Sequence, residues 1–318
     1  MQLGEIYDFF VREGIRADVR GREGMAGYLR DVRSRYRKLG RRDKKFFDKE
    51  SLTNPYADTR ILNGDRRRDV RRVMIGIDIE TGEMLLADRL GRNGRPVDLV
   101  IAHHPEGVAL AGLSEVMGLQ AEHLQILGMA REPAQELMKQ RMDEVARRLH
   151  SGNHSRTVDA ARLLGIPLLC CHTPSDNLVT QYLQRRMDRR KPGTLEDVVD
   201  LLLEEPEYQD AMKDKAGPVI LSGKARDKAG RVLVDMTGGT EGSQEIFGRL
   251  SQMGIGTLLG MHLSETHFEK VKKEFMHVVI AGHIASDNLG LNMLLDKLER
   301  RGKLEIITCS GFRRVRRI

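Results

Sequence analysis

Six of the ten histidines sit at four points where an apolar run gives out. In DLVIAHHPEG the run Leu99-Val100-Ile101-Ala102 stops at His103 and His104. LLCCHTPSDN stops at His172, with Asp176 four residues on, and VVIAGHIASDN stops at His283, with Asp287 four on. TLLGMHLSETH brings His262, Glu265 and His267. Imidazole and carboxylate donors without a thiol pattern suit zinc, iron or manganese. A spacing of four puts both donors on one face wherever the chain has entered a helical turn. Each pair also has a structural reading: a strand-end histidine that is simply hydrogen-bonded, and an Asp after Ser or Thr that caps a helix, which fits Asp176 and Asp287. Consecutive strand residues point to opposite faces, so His103 and His104 serve one site only if the chain turns there, or each serves its own metal. Pro105 makes the turn reasonable. Ser264 as an N-cap, with Glu265 and His267 in the first helical turn, accounts equally for the fourth group.

The elements that must position these residues are short. Val73 to Ile77, Val97 to Ala102, Ile166 to Cys171, Val219 to Leu221, Val232 to Asp235, Thr257 to Leu259, His277 to Ala281 and Leu304 to Thr308 have strand length and composition. Helical patterns lie between them over Glu132 to Leu149, Thr194 to Glu204, Glu241 to Met253, Ser264 to Phe275 and Asn288 to Arg301. Strands alternating with helices predict an α/β protein with largely parallel sheets, and in such sheets functional groups gather where strands end. The polar stretch Arg185 to Lys215, broken by KPG and EEPEY, divides the strands into two groups. The expectation is two lobes, about 71–190 and 215–318, within a core of 71–318, with a site in the cleft between them. Residues 1–70 read as a basic helical extension.

With 318 residues, 40% hydrophobic and 31% charged, the chain has the composition of a globular protein. Its longest apolar run, Ile166 to Cys171, is far too short to cross a bilayer, and the start has no basic flank followed by an apolar segment, so a cytoplasmic protein without a membrane partner is expected. Three cysteines offer neither an even disulfide framework nor a CxxC zinc pattern, and Cys170 and Cys171 fit core packing better than ligation. Residues 1–72 carry 20 Lys and Arg against 12 Asp and Glu, which leaves the rest of the chain nearly neutral at a total of +7. Leu29, Val32, Tyr36 and Leu39 mark one face of a helix there, with arginines around the rest. That surface is either a solvated face or a patch that attracts phosphates of nucleic acid. The tail Arg313 to Arg317 raises the same alternatives. MTGGTEGS, 236 to 243, lacks the Walker lysine pattern and reads better as a glycine turn than as a phosphate cradle.

Taken together, DLVIAHHP, HTPSDN and AGHIASDNLGLNMLLDKL, preceded by RILNGD and RVMIGID, resemble the NIF-three-like (NGG-one-interacting factor three) family, many of whose members carry the label GTP cyclohydrolase type 2. The resemblance covers about residues 60 to 318. It implies a dinuclear metal site built from His103, His104, Asp176, His283 and Asp287, two divalent ions per chain, Asp176 as bridging carboxylate, and often a toroidal homohexamer. Asp287 stands where the family usually has Glu, one methylene longer, and the basic segment has no counterpart in the short members. Two functional classes follow: a metal-dependent hydrolase of an unidentified small molecule (a nucleotide, another phosphoester or a cyclic amide), or a non-enzymatic regulatory protein that binds metal and contacts nucleic acid or a protein partner. In the first, His172 and Glu265 are the candidates to move protons, with His262 and His267 behind them.

Overall fold

The eight apolar runs all form strands, and a ninth precedes them. In this computed structural model, which describes residues 1–317, one sheet contains β1 (Arg60–Asn63), β2 (Arg72–Gly76), β3 (Leu99–Ala102), β4 (Leu168–Cys170) and β9 (Glu305–Thr308) in the order β1-β4-β3-β2-β9. The other contains β5 (Val219–Ser222), β6 (Arg231–Asp235), β7 (Ile255–Gly260) and β8 (His277–Ile280) in the order β5-β8-β7-β6. Only β1 on β4 and β5 on β8 pair antiparallel; every other pairing is parallel. The chain is thus α/β with two largely parallel sheets, as its alternating pattern predicts. β2 to β4 are buried on both faces, which is why they read as continuous rather than alternating apolar runs.

The sheets divide the chain differently from lobes at 71–190 and 215–318. β9 returns from the C-terminus to pair in parallel with β2, Arg72 opposite Glu305 and Ile75 opposite Thr308, and so covers what would otherwise be an open edge of the first sheet. Residues 1–70 are not all extension either. Helix α1 (Leu3–Ala17) buries Leu3, Ile6, Phe9 and Phe10 in the same apolar cluster as Val73, Ile75 and Leu99, and β1 adds the fifth strand. The basic helices proper are α2 (Gly21–Lys38) and α3 (Arg41–Phe46), which lie on this body.

Two long helices carry most of the site. One, Thr173–Arg190, begins directly after β4; the other, His283–Glu299, begins directly after β8, five residues earlier than the sequence pattern predicts. They pack closely because Gly290 lies over the start of the first: a Cβ there would be 2.6 Å from the Ser175 carbonyl oxygen. Gly14 of α1 does the same against Pro174, where a Cβ would meet the proline Cβ at 2.7 Å. No helix among the described residues is long and apolar enough to cross a membrane.

Candidate metal centre

His103 and His104 follow the end of β3, where the chain bends, while their backbone amides still donate to the Gly76 and Ile77 carbonyls. The two rings are tilted 42° with centroids 5.2 Å apart. The predicted helical turn is present at both HxxxD units: Asp176 lies in the first turn of its helix, Asp287 one turn beyond His283 in the other, and neither is a cap residue. All five expected ligands therefore converge. His103 Nε2 lies 3.4 Å from Asp176 Oδ1 and 3.3 Å from Asp287 Oδ1. On the other side of the same carboxylate, Asp287 Oδ2 is 3.5 Å from His104 Nε2 and 3.7 Å from His283 Nε2. The carboxylate common to the His103–Asp176 and His104–His283 groups is thus Asp287, where the resemblance placed Asp176. Asp176 faces His172 instead, Oδ2 to Nε2 at 3.6 Å, and His172 joins His103 and His104 in a third group of donors.

Whether these groups fit a metal can be judged from their partners. His103 Nδ1 donates to the Cys171 carbonyl (3.2 Å), His104 Nδ1 to Asp78 (2.7 Å) and His172 Nδ1 to Asp58 (2.9 Å). With Nδ1 so engaged, the His103 and His104 rings present the Nε2 lone pair inward, which is the tautomer metal ligands require. Opposite them, His103 Nε2, Asp176 Oδ1 and both oxygens of Asp287 are buried without a hydrogen-bond partner. Leaving such atoms bare costs about 1–3 kcal/mol each, so a cluster of four points to a cation. Donors about 2.1 Å from a tetrahedral ion stand about 3.4 Å from one another, in line with the separations here. The residues fit the group.

Electrostatics follow the same geometry. Burial disfavours charge on Asp287, but His103, His104 and His283 overcome it and hold the carboxyl far below its ordinary range. Asp176 is pushed up to about 6 by burial, with His172 and His103 pulling the other way. His172 rises to about 9: burial opposes its charge, and Asp176 and Asp58 outweigh it. Burial pushes His283 down to about 4, against the pull of Asp287.

The fourth predicted group is brought in only in part. Glu265 is an exposed residue of the helix Glu265–Lys273 and does not reach the centre. The carboxylate in that neighbourhood is Glu241, which accepts from the Ser264 amide (2.5 Å) and lies 3.3 Å from His262 Nδ1; burial is outweighed and its carboxyl falls to about 2. His262 stacks on His283, with ring centroids 4.8 Å apart. His267 is buried and fully bonded, between Ser264 Oγ (2.7 Å) and the Gly242 carbonyl (2.9 Å), a structural role. A cavity of about 70 Å³ is lined by His172, Asp176, Asp235, Glu241, His262 and His283. The MTGGTEGS loop is a tight turn, its Gly238 and Thr240 carbonyls accepting from Gln120. Cys170 and Cys171 are buried, their thiols pushed well up by burial.

Sequence reasoning missed Asp58, Asp78 and Glu241. Asp78 carries a readable signal, two residues past the end of β2, just as His104 is two past the end of β3. Asp58 carries none. It lies in the N-terminal segment and reaches the centre only because β1 pairs with β4.

An α/β protein of two largely parallel sheets, with a buried His and Asp cluster able to bind metal at the ends of its strands, is the class these observations define. Among solved structures, the chain is similar to a NIF3 superfamily protein from Sphaerobacter thermophilus at 30% identity and a TM-score of 0.70, over 80% of this chain and 91% of that one. The chain belongs to the NIF3 superfamily. It also matches reduced HcgD from Methanocaldococcus jannaschii (16% identity, TM-score 0.49, 84% of this chain and 94% of that). A Bacillus cereus protein related to NIF3 matches at 12% identity and a TM-score of 0.41, over 88% and 96%. No family model and no curated protein matches the sequence.

Proposed function

We propose that this protein is a metal-dependent hydrolase holding two divalent ions, zinc, iron or manganese, one with His103, Asp176 and Asp287 and the other with His104, His283 and Asp287. The observation that carries the reading is the set of four buried, partnerless donor atoms on His103, Asp176 and Asp287. Two bound ions would supply a water of lowered pKa and a clamp for developing negative charge. The chain's own residues supply the rest. Asp78 fixes the His104 ring in the required tautomer, and Asp58 orients the His172 ring. His172 lines the cavity and can hand a proton to a leaving group there. Glu241 and His262, which also line the cavity, take the place first assigned to Glu265. The proposed substrate is a nucleotide, another phosphoester or a cyclic amide. A homo-oligomer, up to the hexamer implied by resemblance, completes the proposal, and light scattering of the purified protein tests that part.

Elemental analysis of protein purified without chelator tests the site. About two metal atoms per chain are expected, lost in His103→Ala/Asp176→Ala, with hydrolysis of phosphoesters or cyclic amides lost in parallel. Wild-type metal content in the double variant, or no uptake after reconstitution with iron, manganese or zinc, overturns the assignment.

A further inference from the structure

Two arginine-rich segments of this chain look alike in sequence and differ in structure. At the C-terminus the arginines are consumed internally: Arg313 pairs with Asp214, Arg314 with Asp296 and Glu299, Arg316 with Glu299, and Arg317 with Glu205 and Glu207. Between Gly21 and Lys49, eleven Lys and Arg face four Asp and Glu, a net +7 that equals the formal charge of the entire chain. None of these eleven forms an ion pair among the described residues, and all but Lys44 are exposed. Acids that could have neutralised them are engaged elsewhere: Asp48 and Glu50 with Arg60, and Glu122 with Arg20.

Like charges kept unpaired at high density destabilise the folded chain by self-repulsion, so the patch calls for an external partner. Arg30, Arg33 and Arg37 follow one side of α2 at spacings of three and four, and Arg41 and Arg42 open α3. The 18 residues of α2 make a row of about 27 Å. Seven of the eleven cations are arginine, whose fork matches phosphate oxygens in pairs. A lipid surface would need a free apolar face beside the charge, but the buried residues of α2, Met25 and Val32, already face the protein. What protrudes instead is one aromatic ring: Phe46 is 78% exposed, with Lys45 Nζ 5.8 Å from its centroid. An exposed ring within a cationic row suits the stacking of an unpaired base.

We propose that the α2–α3 surface binds single-stranded nucleic acid through its phosphate backbone, without regard to sequence, with Phe46 as a stacking platform. This site is separate from the metal centre, and neither proposal depends on the other.

The test is fluorescence anisotropy with a labelled single-stranded RNA of mixed sequence, about 20 nucleotides long, a span of one to a few binding sites. Binding should weaken steeply as salt rises from about 50 to 200 mM. Arg30→Ala/Arg37→Ala/Arg41→Ala/Arg42→Ala should weaken it roughly tenfold or more, and Phe46→Ala about fivefold or more. Arg147→Ala/Arg148→Ala, an exposed pair on another helix, should change nothing. The melting temperature of each variant shows that it is folded, and His103→Ala/Asp176→Ala should bind RNA as the wild type does. Absence of binding by the wild type at low salt, equal binding by the quadruple variant, or capture by phosphatidylserine vesicles without capture of RNA overturns the proposal.

Discussion

Gly290→Ala is the substitution that best separates local propensity from the demands of the site. In an isolated helix the change is favourable by about 1 kcal/mol. Here the added Cβ would sit 2.6 Å from the Ser175 carbonyl oxygen and 2.6 Å from its Oγ, where ordinary contact begins at 3.4 Å. The hydroxyl can rotate away but the carbonyl cannot, so the helices His283–Glu299 and Thr173–Arg190 must separate by about 0.8 Å. Overpacking of this kind costs about 1–3 kcal/mol. The propensity gain offsets about 1 kcal/mol of that, and at about 2 °C per kcal/mol for a chain of this size the melting temperature should fall by up to about 4 °C. The effect on the site should be larger, because those helices carry Asp287 and Asp176, and metal ligands tolerate displacements of only about 0.2 Å. Metal content should therefore drop by about half or more, measured by elemental analysis after reconstitution beside a thermal melt. The control is Gly27→Ala in α2, where the nearest atom to a Cβ is the end of the flexible Arg30 side chain at 3.7 Å, and which should be neutral to stabilising. Full metal content in Gly290→Ala, with a melting temperature at or above that of Gly27→Ala, would refute the reasoning.

Asp78→Asn keeps the shape but removes the charge that orients the ligand His104, so metal affinity measured by chelator competition should fall about 10- to 100-fold; unchanged affinity would remove Asp78 from the site. Arg314→Ala leaves Asp296 and Glu299 without their buried partner and should cost about 3 kcal/mol or more in urea unfolding, whereas Arg41→Ala on the open surface should stay within about 0.5 kcal/mol. Equal effects of the two would show that the C-terminal arginines are not clasps. The Glu241 carboxyl, depressed from 4.5 to about 2 in the folded protein, contributes stability that is present above pH 4.5 and lost as pH falls towards about 2. Glu241→Gln should flatten stability across that window, and an unaltered acid limb would contradict it.

The sequence by itself determined the class of fold and most of the centre. Eight apolar runs of strand length form the two sheets, and parallel strands deliver their C-terminal ends to one edge of each, which gathers His103, His104 and His172 on the first sheet and His262 and His283 on the second; the meeting of those two edges is tertiary. The four-residue spacing of His172 with Asp176 and of His283 with Asp287 required only a helical turn, and both helices supply it. Tertiary structure alone decided the rest. Asp287 rather than Asp176 is the shared carboxylate because of where two helices cross, and that crossing depends on a missing side chain at Gly290. Asp58 reaches His172 across 114 residues through an antiparallel pairing that no local pattern announces. Glu241 rather than Glu265 lines the cavity because its loop is held against His262 and the Ser264 amide. The two arginine-rich segments, equivalent as composition, part company for the same reason: charge is written in the sequence, but whether an acid stands within reach of it is a property of the folded chain.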